Sequence, residues 1–403
     1  MRKLVLGIIV VSFIFDIVIR PIPNGELSRI ILVFLHSVSF VLVLLYYKVE
    51  LKGNIWILLT LFYYLILTPF STNLALTLNY YIKFSISLLM FYFGIKLYRI
   101  NIDQLFLSAT KKIIYLAVLY VIYSNLFDYG TSIYRGQEIK SGFLEAPFFY
   151  APALSLVLYT FLDKQYKNKL LDNIFITLLI LYFILLFRRT IYIILIMGFL
   201  IPILRGNNLK KHFNTIIAFV AVLIITFPLY QNTLQASLDA RSKKNYSDFE
   251  SISESENRII EYVFVYNDIS KNVQDLFFGS GELFNSPGNY NFYLDQTRPL
   301  HSDYSRLLFG GGFLGLFLYF MIYIKIFFEN IRAHNRSFKK EKTIIFVLIA
   351  ICFVTGFSGN ITFITFKAYL MIVLGIYYGR LKNTSVHCSA DSLYRIENLS
   401  NER

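Results

Sequence analysis

The sequence predicts an all-α, polytopic integral membrane protein of about twelve transmembrane helices. Three observations predict it. Hydrophobic residues make up 56% of the 403 and charged residues only 16%, against roughly 25% charged in a soluble globule. Apolar runs of roughly 17 to 20 residues, each enough to cross about 30 Å of hydrocarbon, recur along the chain and raise its mean hydropathy to +0.56. Aromatic residues are abundant, with 40 Phe and 31 Tyr, and many of the tyrosines stand near predicted helix ends as an aromatic belt does.

The expected spans are 4–20, 28–47, 54–70, 76–95, 111–128, 147–162, 172–187, 190–204, 213–230, 301–324, 343–357 and 361–379. Met1-Arg2-Lys3 ahead of the first run imitates a signal peptide. Asp16 to Pro21 offers no small-residue cleavage site, however, so that run reads as a retained helix. Pro21-Ile22-Pro23-Asn24-Gly25 and Ser358-Gly359-Asn360 carry turn chemistry at the joints. No internal repeat or low-complexity linker divides the chain. It reads as one membrane domain over 1–403, with an external loop over 230–300 between the ninth and tenth helices and a cytoplasmic tail over 380–403.

In such a chain a net charge of +14 reports orientation before it suggests nucleic acid. Segments on the N-terminal side of the membrane collect most of the Lys and Arg, including Lys96, Arg99, Lys111, Lys112, Arg332, Lys339, Lys340 and Lys342. The short loops opposite hold only Arg20, Arg29, Arg135, Lys140, Arg188 and Arg189. The positive-inside rule then makes both termini cytoplasmic and turns the long loop outward. Neither Cys352 nor Cys388 lies in that loop, so no disulfide framework is implied.

The loop has structure of its own. Ser253-Glu254-Ser255-Glu256 offers a Ser-x-x-Glu capping box. Ile259, Val263, Tyr266, Ile269 or Ser270, Val273 and Leu276-Phe277 then recur at helical spacing until Gly279. The expectation is one amphipathic helix of about 22 residues, its apolar stripe resting on the bundle or on lipid headgroups, in the position of a lid.

Arg188-Arg189, Arg258 and His301 are the outward residues that suit chemistry. The arginine pair sits between two apolar runs with no connecting loop. Snorkelling at a helix end is the plain explanation, and a bound anion is the functional one, since the planar guanidinium fork suits phosphate oxygens. Arg258 falls in the first turn of the loop helix, where the macrodipole disfavours a cation. An ion pair with Glu254 or Glu261 is its plain role. Arg298 and Arg306 flank His301, while Lys83 and Lys367 lie inside predicted spans, where ionisable residues are functional candidates. If these helices converge, they enclose an electropositive cavity for a polyanion. His301, at a loop-to-helix boundary, is placed to act on a hydroxyl. Asp303, two residues on, faces away from it on a regular helix and reads as a helix cap. No metal-ligand spacing and no Walker-type loop is present, so neither metal nor cofactor is expected.

These residues resemble, in order, those of the bacterial O-antigen polymerase and O-antigen ligase family. Arg258-Ile259-Ile260-Glu261-Tyr262 matches an Arg that opens an outer-loop helix with an aromatic residue four positions on, Tyr standing where ligases often have Trp. Gly279-Ser280-Gly281 matches a Gly-x-Gly turn, and His301-Ser302 with Gly310, Gly312 and Gly315 matches a His leading into a glycine-rich helix. Arg189-Thr190 matches an Arg-Thr at a helix top, and Gly142 to Pro147 the short motif before a middle helix. Leu186-Phe187 precedes the arginine pair where small serines are usual, so either Arg188 or Arg189 is the counterpart.

The resemblance covers about residues 140 to 320. It implies a fold similar to GT-C-type glycosyltransferases and a site at the outer face of the inner membrane. The substrate implied is an undecaprenyl-diphosphate-linked oligosaccharide, and membrane lipid and a chain-length regulator protein are the implied partners. Arg189 or Arg188 and Arg258 would hold the diphosphate, Arg306 or Lys367 would assist, and His301 would orient or deprotonate the acceptor hydroxyl. Polymerase and ligase share this pattern, so both stay open, as does a protein O-oligosaccharyltransferase. A transporter of lipid-linked oligosaccharide would be expected to show pseudo-symmetric halves and broken helices, and neither is visible in the sequence.

Overall fold

The computed structural model describes residues 41, 45–127, 131–134, 137–140, 150–162, 167–186, 189–205, 257–283, 300–333, 339–357 and 366–382. Within them the chain is helical except for one hairpin. The elements are α1 (Ile55–Leu67), α2 (Leu74–Arg99), α3 (Asp103–Leu126), β1 (Thr131–Tyr134), β2 (Gln137–Lys140), α4 (Tyr150–Tyr159), α5 (Lys169–Leu186), α6 (Arg189–Leu204), α7 (Asn257–Ile269), α8 (Val273–Phe278), α9 (Asp303–Arg332) and α10 (Lys339–Gly356). A last helix, α11, covers 366–382. Three helices, Leu74–Arg99, Asp103–Tyr123 and Asp303–Arg332, are long and apolar enough to cross a membrane. The expected spans 4–20 and 213–230, and nearly all of 28–47, lie outside the described residues.

The all-α expectation holds among the described residues, with one short hairpin set between helices. β1 and β2 pair antiparallel, Thr131 opposite Lys140 and Tyr134 opposite Gln137. Four residues a side give too short a pattern to separate strand from loop by periodicity.

Buried or local polar side chains hold several helix starts. Asn54 caps α1 by accepting from the Trp56 N–H at 3.2 Å, while its amide donates to the Ile322 carbonyl at 2.9 Å. Its own carbonyl accepts from the Tyr92 hydroxyl at 2.6 Å, so this fully buried residue is satisfied on every side. Asn73 caps α2 through the Leu76 N–H at 3.1 Å, and Lys96 and Arg99 complement the dipole in its last turn. Asp103 opens α3 and takes both Nε and Nη2 of Arg380, at 2.9 and 2.6 Å, tying α3 to α11. Buried Asp172 opens α5 and accepts from the Tyr115 and Tyr159 hydroxyls and the Asn168 N–H. We call the end carrying Arg99, Asp103 and Arg380 the lower end, and the end carrying Asn73 and Gly279 to Glu282 the upper.

A single large apolar core links α1 to α6 with α9, α10 and α11. The closest helix approach within it is glycine on glycine. A Cβ at Gly94 would lie 2.1 Å from the Ile372 carbonyl oxygen, and one at Gly375 would lie 2.0 Å from that of Phe91. Such small residues let helix backbones meet without the hydrophobic drive available in water. Gly94→Ala is therefore expected to push α2 off α11 and destabilise the fold by about 1–3 kcal/mol, the usual range for overpacking. Thermal unfolding in detergent reads this, and an unchanged melting temperature would contradict the close contact.

Candidate active site

The site is organised by a break in α9. Gly312 has φ +60° and ψ −164° inside the helix. Tyr304 and Phe320 would be about 24 Å apart along a straight helix, yet their ring centroids are 5.3 Å apart. Both reach the same residue of α10: the Tyr304 hydroxyl donates to the Phe353 carbonyl at 2.6 Å, and the Phe320 ring stacks on that of Phe353 at 5.6 Å. So α9 doubles back at Gly312 into two limbs, 303–311 and 313–332. The expected single span from 301 to 324 is corrected accordingly. So is the expectation that no helix is broken, because a glycine-rich run is equally compatible with a straight, closely packed helix.

A break of this kind frees helical carbonyls, and buried carbonyls need donors. Tyr64 supplies its hydroxyl to the Leu307 carbonyl at 3.0 Å, and Tyr63 to the Gly311 and Phe278 carbonyls at 2.9 and 3.1 Å. The Gly279-Ser280-Gly281 turn supplies the rest. The Ser280 N–H and hydroxyl both donate to the Phe309 carbonyl at 2.9 Å, and the Gly281 N–H donates to Gly310 at 3.0 Å. Gly279 and Gly281, at φ +78° and +74°, let the turn lie directly on the break. Glu282 then ties it to the upper end of α2, accepting from the Thr72 N–H at 2.7 Å and from its hydroxyl.

At the far end of the first limb stands His301. Its Nδ1 lies 2.9 Å from Glu261 Oε1 of α7, and its backbone N–H donates to Glu261 Oε2 at 2.8 Å. The Ser302 N–H adds a third bond to Oε2 at 3.3 Å. The Glu261 side chain is 0% exposed and the His301 side chain 40%. Burial pushes this carboxyl up, but the hydrogen bonds from the His301 ring and from the two backbone N–H groups outweigh it and hold the pKa below the ordinary value of 4.5. An ionised Glu261 accepts the Nδ1 proton, the tautomer in which Nε2 is the ring's acceptor nitrogen.

Other residues lock this frame. Tyr262 shares a 2.5 Å hydrogen bond with the Ser302 hydroxyl, which also caps the limb through the Tyr304 N–H at 3.2 Å. Arg306 Nε donates to the Leu300 carbonyl. Ser302 is thus the cap that Asp303 was expected to be, and Asp303 lies fully buried in the first turn.

No protein-family model matches the chain, and no curated protein matches it. The geometry stands alone.

The basic residues named from the sequence fall into two groups. Lys83 lies over the Tyr80 ring at 4.8 Å, and Tyr80 interacts electrostatically with Arg306. Lys367 donates to the Tyr319 hydroxyl at 3.0 Å, in the first turn of α11. Phe84, next to Lys83, meets Tyr319 at 6.1 Å, so α2, the second limb of α9 and α11 meet at the level of Tyr319. Arg306 and Lys367 are both buried inside the protein. In the second group, Arg189 opens α6 and Arg258 lies in the first turn of α7, while Arg188 and Arg298 lie outside the described residues.

The expected single loop helix is two. Asn272 caps α8 by accepting from the Gln274 N–H at 2.9 Å and ends the continuity after Ile269. The predicted stripe is split: Ile269 and Leu276 pack with Val265 against Leu300, Leu308 and Phe309, while Val263, Tyr266, Val273 and Phe277 are exposed.

Glu261 is the candidate site residue that sequence reasoning missed, having been assigned only as a plain partner of Arg258. Its one signal was position. It shares the i, i+4, i+8 row with Val265 and Ile269, and a carboxylate on a buried row needs a partner.

Proposed function

We propose that the chain is a metal-independent glycosyltransferase of the polysaccharide polymerase kind. It would move a growing glycan from undecaprenyl diphosphate onto a sugar hydroxyl of a lipid-linked repeat unit. The upper end would face outward from a bacterial inner membrane, with both termini cytoplasmic and about twelve spans in all. The observation that carries the reading is the buried Glu261 carboxylate holding Nδ1 of a half-exposed His301, with Arg258 in the first turn of the same helix as Glu261.

In this reading the acceptor hydroxyl gives its proton to His301 Nε2 as its oxygen bonds to the anomeric carbon. The bond from that carbon to the diphosphate breaks, and the diphosphate leaves as an anion held by Arg258 and by Arg189 or Arg188. Glu261 stabilises the imidazolium that forms. The family resemblance implies inversion at the anomeric carbon.

Purified protein in bilayers, given lipid-linked repeat units, is expected to produce a ladder of elongated products. Arg189→Ala and Arg258→Ala should lose the ladder while remaining in the membrane, and normal ladders from both variants would remove the diphosphate role. Transfer to a lipid A core or a protein acceptor in place of elongation would replace polymerase by ligase or protein O-oligosaccharyltransferase. A transporter would be expected to break its helices near the midplane, whereas the break in α9 lies at the top of its long limb. Its freed carbonyls are filled by Tyr63, Tyr64, Ser280 and Gly281, which favours a rigid scaffold over an ion path.

A further inference from the structure

Element α8 is clamped by its backbone and turns its rings away from the protein. The Phe278 carbonyl accepts from Tyr63, a Cβ at Gly312 would lie 2.5 Å from the Phe277 carbonyl oxygen, and Leu276 packs against the cluster of Val265, Ile269, Leu300, Leu308 and Phe309. Phe277 and Phe278 are nevertheless 53% and 50% exposed, and Val273, Val263 and Tyr266 are exposed beside them. Burying a side chain of this size is worth about 1.5–3 kcal/mol, so a row of five left in water opposes its own conformation.

Two observations say what covers that row. It continues an apolar surface that runs down the bundle through Phe313, Phe317 and Phe62, all exposed. Its level also fits a bilayer boundary, because the limb from Gly312 to Arg332 rises about 30 Å, the thickness of a hydrocarbon core. Just before α8 the polarity reverses: Lys271 and Asp268 form an ion pair at 2.6 Å, with the lysine side chain largely exposed.

We propose that α8 and the exposed face of α7 are seated in the upper-end leaflet of the bilayer, with Phe277, Phe278, Val263 and Tyr266 turned into it. The segment is then a fixed interfacial anchor and not a swinging lid. It leads straight into Gly279-Ser280-Gly281, so the bilayer helps to hold the turn that fills the break in α9. The proposal rests on the bundle being membrane-embedded and is independent of the transferase reading.

Spin labels at Phe277, Phe317 and Ser270, each in a Cys388→Ser background with buried Cys352 left in place, test it in phosphatidylethanolamine–phosphatidylglycerol bilayers. The labels at Phe277 and Phe317 are expected to collide with oxygen and to be shielded from an aqueous nickel chelate, and the label at Ser270 to show the reverse. A Phe277 label that follows Ser270 while Phe317 stays shielded would overturn the anchor alone. Aqueous behaviour at Phe317 as well would overturn the membrane reading beneath it. Spectral broadening at Phe277 relieved by dilution with unlabelled protein would show a second copy on this face, and would equally overturn the proposal.

Discussion

Replacing His301 with alanine is expected to lower glycan transfer by about 10²- to 10⁴-fold, the range for loss of a positioned general base. Glu261→Gln should do nearly as much without removing the imidazole. Its amide can still accept from the backbone N–H groups of His301 and Ser302, but would present N–H donors to Nδ1. The ring would then carry its proton on Nε2, the atom that has to receive one. A drop in kcat with little change in KM is the expected signature, measured with lipid-linked donor and acceptor. Retained transfer by His301→Ala would rule out an essential base, and an Glu261→Gln enzyme at full rate would reduce the carboxylate to a structural cap.

The same pair predicts an acid response. The Glu261 carboxyl is held below 4.5 in the folded protein, so it binds fewer protons there than in the unfolded chain. Its contribution to stability is complete above 4.5 and fades as the pH falls through the lowered value. Wild-type protein should lose melting temperature over that acid window relative to Glu261→Gln. Parallel curves for the two would show that the bonds to Glu261 carry no net stability.

Gly312→Ala is expected to be strongly disruptive for a change of a single methyl group. The residue sits at φ +60°, which costs a side chain about 1–3 kcal/mol, and a Cβ would lie 2.5 Å from the Phe277 carbonyl carbon and oxygen and 2.6 Å from the Gly279 nitrogen. Relieving that overlap moves the Gly-Ser-Gly turn off the Phe309 and Gly310 carbonyls and leaves them without those donors. The expected result is a loss of about 3 kcal/mol or more, seen as a lower melting temperature, together with loss of transfer as His301 shifts on its limb. A variant with wild-type melting behaviour would mean that the two limbs do not depend on this turn.

Most helices were legible because an apolar run long enough to span hydrocarbon leaves little choice of structure. α2, α5, α6 and α10 begin and end within a few residues of their expected bounds. The break at Gly312 was not legible. Its cause lies in donors from α1 and the 279–281 turn, which no local window contains. The dyad was half legible: His301 stood out by its place at a loop–helix boundary, whereas Glu261 is 40 residues earlier and its neighbour Arg258 offered a nearer explanation. What covers each face of α7 was left open between bundle and lipid for a physical reason. Periodicity finds an apolar row but cannot tell whether protein or lipid covers it, and here the row with a carboxylate in it is the one that packs.

The doubled α9 has a further consequence for the shape the chain presents to its surroundings. Limb 303–311 adds a helical cross-section to the upper half of the bundle, with no counterpart from α9 below Tyr319. Among the described residues, α9 thus takes up more cross-section in the upper half than in the lower. Its solvation is therefore expected to favour a bilayer whose two monolayers are packed unequally, a preference written into the fold by the conformation of a single glycine.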